Sequence, residues 1–280
     1  MTETFLILLA GGVMLAAAVS RPKELRRQGP DDLDGVTLQW LRLAGIIALA
    51  LGALAMFFFL RREMPAEATA AFHRRQFALL VAFLVAVLAQ LGFVQVAWVR
   101  TQRVCAGVAF LVGVMSGSGL LHELMLPRGT AVAFPPKVWS IALQTLACMG
   151  VASMTGLALM DMLLGHAYLT ASRMSMEPFR RLNGALAGVT VMRVMVAVGG
   201  VLLLNAMRPV ERLWGIQGLF IATRYFVGFV VPVVFIYMAH DCIKGRSTQS
   251  ATGILYVAGV LIFIGEIVGL YLVRETGLPF

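Results

Sequence analysis

The stretch Val138–Leu164, VWSIALQTLACMGVASMTGLALMDMLL, decides the fold. About 20 predominantly apolar residues cross the hydrocarbon core of a bilayer as a helix. This run is longer than that and carries one charge, Asp161, close to its end. Residues 165–181, GHAYLTASRMSMEPFRR, follow it with His166 and three arginines. A buried ionisable group in a lipid-compatible helix is costly unless it faces protein or water, so Asp161 marks a candidate site.

The same pattern recurs on both sides. Apolar runs at about Phe5–Ser20, Leu38–Leu60, Gln76–Val99 and Val104–Leu121 precede it. Runs at about Ala185–Asn205, Leu213–Ala239 and Ala251–Val273 follow it. Period-two alternation is absent, which argues against a barrel. The expected fold is all-α: one integral membrane domain over residues 1–280, a bundle of about eight transmembrane helices. A cleaved leader is the competing reading for the first run, but MTET carries an acid and no basic residue, unlike a secretion signal.

Composition agrees. The chain is 60% hydrophobic and 13% charged, where a soluble domain carries roughly 25% charged residues. Its net charge of +9 is spread over every loop. That distribution suits anionic lipid headgroups rather than nucleic acid. Cys105, Cys148 and Cys242 fall in different spans without a CxxC pair, so they read as packing residues rather than ligands of a cluster. All four tryptophans (Trp40, Trp98, Trp139, Trp214) fall at span ends, where an amphipathic ring prefers the headgroup region.

Loops after odd-numbered spans hold eleven Lys and Arg, and the other side holds nine. By the positive-inside rule both termini are expected outside a cytoplasmic (inner) membrane. Gly113-xxx-Gly117, Ala152-xxx-Gly156 and Gly265-xxx-Gly269 are expected packing faces. No repeat is visible in the sequence.

Asp161, Arg193, Arg224 and Glu266 are charges inside spans. Depth along the spans predicts two ion pairs, Asp161 with Arg193 and Arg224 with Glu266. Each would be either a fixed helix–helix tie or a proton-exchanging acid beside a quinone or proton path. His166 and His240 end spans five and seven on one face. They match in depth for a haem but lie too near the helix ends, so haem b is not expected. With Asp241 they could instead line a quinone pocket, since histidine titrates near neutral pH. His122-Glu123 is a similar pair on the other face. Gly228 and Pro232 follow Arg224 at four-residue steps, which predicts a kink beside a buried cation.

The last span, AGVLIFIGEIVGLYLVRETGLPF (residues 258–280), resembles the closing helix of the membrane-anchor subunits of polysulfide and DMSO reductases. Gly265, Glu266 and Tyr271 carry the resemblance, together with the span count and length. Where that family commonly places an arginine four residues after the glutamate, Leu270 stands here. The resemblance implies a subunit that anchors redox partners and exchanges electrons with quinone, with Glu266 near the quinone or proton route. The rival expectations are a secondary transporter or proton-coupled channel, and a non-catalytic membrane scaffold. Walker loop, HExxH and GxSxG motifs are absent, so nucleotide and hydrolase chemistry are not expected.

Overall fold

The computed structural model describes residues 1–20, 36–62, 70–125, 137–170, 175–207 and 216–276. Its helices are α1 (Thr2–Val19), α2 (Leu38–Arg61), α3 (Ala70–Gln95), α4 (Val99–Met125), α5 (Lys137–Thr170), α6 (Glu177–Met207), α7 (Ile216–Tyr225), α8 (Val231–Lys244) and α9 (Thr248–Thr276). A π-helical turn, Phe226–Val230, joins α7 to α8 into a single crossing. Among the described residues, eight helical units are long and apolar enough to span a membrane. The expected all-α, multi-pass bundle is therefore the fold.

One boundary shifts in a way that matters. The sixth span begins at Glu177, not near Ala185. The charged stretch EPFRR reads as loop, yet it is the first turn of α6. Ser175 Oγ accepts the Glu177 N–H at 3.2 Å, Pro178 tolerates a first-turn position, and Arg181 donates to Glu177 at 2.7 Å, one turn on. Trp40 and Trp98 lie at the starts of α2 and α4 as expected. Trp139 is the third residue of α5; Trp214 lies outside the described residues.

Consecutive helices pack as antiparallel neighbours and close two rings. The first runs α1–α2–α3–α4 and returns to α1; the second runs α5–α6–α7/α8–α9 and returns to α5. Burial repeats in the same order. The buried share of each span is 67, 33, 28 and 56% in the first ring, and 72, 33, 28 and 44% in the second. The two four-crossing units thus share one neighbour order.

The rings meet where α1 crosses α5. A Cβ on Gly12 would overlap the Ala152 carbonyl oxygen and stand 2.9 Å from Gly156 Cα. Two backbones touch there, which only glycine permits. The other small-residue expectations also find partners: Gly113 lies against Gly11, and Gly265 against Gly228. The helix ends are in register. Arg62 at the end of α2 bonds Glu3 at 3.4 Å and Glu123 at 3.0 Å, marking the amino face. Arg103 Nε donates to Ala18 O at 2.9 Å on the far face.

Candidate functional site

The buried acids of the first ring, Glu3 and Glu123, lie near the amino face and pair with Arg62. The buried polar side chains of α3 and of the first part of α4 are neutral, Gln76, Gln90, Gln102 and Ser116. The second ring buries Asp161, Arg193, Arg224 and Glu266, each 0–1% exposed.

Three of these form one group. Arg224 Nη2 donates to Glu266 Oε1 at 2.8 Å, and Arg193 Nη2 donates to Glu266 Oε2 at 3.2 Å. The expected Arg224–Glu266 pair is present, but it is two-thirds of a triad. Glycines make the space. A Cβ at Gly150 would stand 2.6 Å from Arg193 Cδ, and Cβ atoms at Gly228 and Gly265 would stand 3.0 and 3.2 Å from Arg224 Nη1. The Arg224 guanidinium also lies 3.9 Å from the Phe229 ring centroid, a favourable cation–π contact in a desolvated site. Tyr225 Oη donates to Ala197 O at 2.7 Å and ties α7 to α6 beside the triad.

The π-turn helps aim Arg224. Pro232 has no N–H, so the chain one turn earlier cannot keep the ordinary ladder. The Val231 N–H reaches Phe226 O, five residues back. The expected kink takes this form, immediately after Arg224. Such π-turns are frequent at functional sites.

The second expected pair, Asp161 with Arg193, does not form. Gly150, not Asp161, is level with Arg193. Eleven positions separate Gly150 from Asp161, about 16 Å of helix at 1.5 Å per residue. Because α6 starts eight residues early, Arg193 sits deep in the bundle while Asn183 comes level with Asp161. Asn183 Nδ2 donates to Asp161 Oδ2 at 3.0 Å, and Asn183 Oδ1 meets His240 Nδ1 at 3.2 Å. A hydrogen-bonded line thus runs from His240, half-buried near the far face, through Asn183 to the fully buried Asp161. Asp161 Oδ1 has no partner among the described residues. Sequence reading missed Asn183; the one signal was an amide opposite the acid on an adjacent antiparallel helix.

His166 is exposed and makes no hydrogen bond among the described residues. Asp241 is exposed too, with Lys244 at 3.9 Å. On the amino face His122 is exposed, while Glu123 is held by Arg62. His73 stacks on Phe59 with ring centroids 4.7 Å apart. Among the described residues no group of three or more His, Cys, Asp and Glu side chains is arranged to hold a metal ion.

Chemically, the two clusters differ. Both Glu266 oxygens accept hydrogen bonds from guanidinium groups. Its two arginines leave the triad with an excess positive charge, and Arg224 Nε and Nη1 have no hydrogen-bond partner among the described residues. Asp161 instead keeps one carboxylate oxygen, Oδ1, without a hydrogen-bond partner among the described residues. Comparison with known protein families, curated proteins and solved structures finds no match.

Proposed function

We propose that the chain is a quinone-interacting integral membrane subunit of an electron-transfer complex. The observation that carries this reading is the Asp161–Asn183–His240 line. Reducing or oxidising a quinone moves protons with electrons, which requires a buried acid connected to one membrane face. The triad supplies the complementary element. A fixed excess cation with spare N–H donors at mid-depth suits a ligand oxygen that gains negative charge. The likeness of the Gly265-Glu266 helix to reductase anchor subunits points the same way. The arginine that helix lacks at Leu270 has counterparts in Arg193 and Arg224, reaching Glu266 from other helices. In this reading lipid surrounds the bundle, and peripheral redox subunits dock on one face.

A second reading has its own support. Two rings with the same neighbour order are the kind of duplication found in secondary transporters. The two are separated by purifying the chain from native membranes in mild detergent. Co-purifying iron–sulfur, molybdopterin or multihaem subunits, with about one extractable quinone per chain, support the first. A chain without redox partners or quinone, which carries a proton-coupled flux in proteoliposomes, refutes it.

A further inference from the structure

A cleft of about 550 Å³ opens on the far face between the start of α6 and the end of α8. It is independent of the buried clusters and of the function proposed for them. Arg180, Arg181, Lys244 and Arg246 line it, with Glu177 as its acid and Met176 among its apolar walls. Glu177 holds Arg180 at 2.8 Å and Arg181 at 2.7 Å. Each arginine spends part of a five-donor guanidinium on that contact and keeps the rest for a ligand. Arg246 takes a left-handed backbone, φ 59°, in the tight turn between α8 and α9, and has no ion pair among the described residues. The lining carries a net charge of +3. Counting Asp241, outside the lining and 3.9 Å from Lys244, the balance is still +2.

The surface below the cleft is apolar and smooth. From Arg181 one face of α6 continues through Gly184 and Gly188 to Val191 and Met195. Both glycines are exposed, and a Cβ on either would meet nothing within 4 Å. Val191 is 56% and Met195 71% exposed. On the neighbouring α8 the face below Lys244 carries Tyr237, 66% exposed. A cationic cleft at the headgroup level therefore opens onto a bare helical strip pointing into the bilayer.

We propose that this cleft binds a phosphate-bearing lipid headgroup, and that the Gly184–Gly188 strip seats one of its acyl chains. The excess of +2 to +3 matches a headgroup with two phosphates better than one with a single phosphate. Basic pockets between membrane helices bind diphosphatidylglycerol-type headgroups for this reason.

The test uses the full chain purified in detergent, with bound lipid counted by native mass spectrometry. Probes are diphosphatidylglycerol, phosphatidylcholine and inorganic pyrophosphate. The variants are Lys244→Gln/Arg246→Gln, which leaves the Glu177 pairs intact, and Gly188→Leu, which fills the strip where nothing is displaced. About one diphosphatidylglycerol should be retained per chain, with phosphatidylcholine far weaker. Retention should fall roughly 5-fold per basic residue removed and about 30-fold in the double variant. Gly188→Leu should weaken the lipid without changing pyrophosphate binding. Equal retention of the two lipids, or no change in the double variant, overturns the site. Pyrophosphate binding as tight as the lipid, with Gly188→Leu silent, overturns the lipid in favour of a soluble phosphate.

Discussion

Replacing Glu266 with glutamine removes the one anion shared by two buried arginines. Arg193 and Arg224, at 1% and 0% exposure, then both lose the carboxylate that they share. Breaking a buried ion pair by deleting one partner costs roughly 3–5 kcal/mol, because it strands the other. Arg224→Gln is a different perturbation. It leaves Arg193 and Glu266 as a neutral pair at 3.2 Å and forfeits one charge-assisted hydrogen bond, about 1.5–3 kcal/mol. The order of costs is therefore fixed by the geometry: Glu266→Gln is the worse. Putting Glu266→Gln into Arg224→Gln relieves only part of its cost, since Arg193 still loses the Glu266 carboxylate. In an Arg193→Gln/Arg224→Gln background no cation remains, and Glu266→Gln should cost nothing or stabilise. Unfolding of the purified protein by SDS in bicelles measures all three backgrounds. Costs of Glu266→Gln equal to within about 0.5 kcal/mol across them would be additive and would refute the triad as an energetic unit.

Other outcomes follow from single positions. Gly12→Ala drives a methyl into the Ala152 carbonyl and should destabilise by about 1–3 kcal/mol or more. Gly92→Ala, where a Cβ meets nothing within 4 Å, should be neutral or gain up to about 1 kcal/mol; thermal midpoints in detergent compare the two. Asp161→Asn keeps an acceptor for Asn183 and should leave folded yield near wild type; on the quinone function proposed above, it should also lower quinol-linked turnover by about 10²-fold or more. Unchanged turnover would remove Asp161 from the proton route. The isolated chain should show no Soret absorption; a stoichiometric band lost in His240→Ala would overturn that. Single cysteines at Ala70 and Gly245, in a cysteine-free background, should label from opposite sides of the membrane.

The number of crossings was legible because a run such as Leu38–Leu60 has one physical outcome in lipid. The Arg224–Glu266 contact was legible too, since neighbouring spans and similar depth bring the two together. Arg193 was assigned to the wrong acid because the charged EPFRR stretch hid the first turn of α6, and a shift of eight residues moves a side chain by about 12 Å along a helix. Asn183 was passed over because an amide signals nothing until the acid opposite is known. Gly150, Gly228 and Gly265 were visible as glycines, but their use as room for guanidinium groups depends on helix crossings that no local pattern encodes.

Each ring contains an even number of crossings, so each begins and ends on the amino face. A chain interrupted between Met125 and Lys137 would yield two fragments, each a self-contained pair of hairpins inserted with the native orientation. The glycine contact between α1 and α5 would then be the principal surface by which they find one another. Co-expressed halves should reassemble into a functional heterodimer, and Gly156→Leu in the second half should abolish that complementation while each half still inserts.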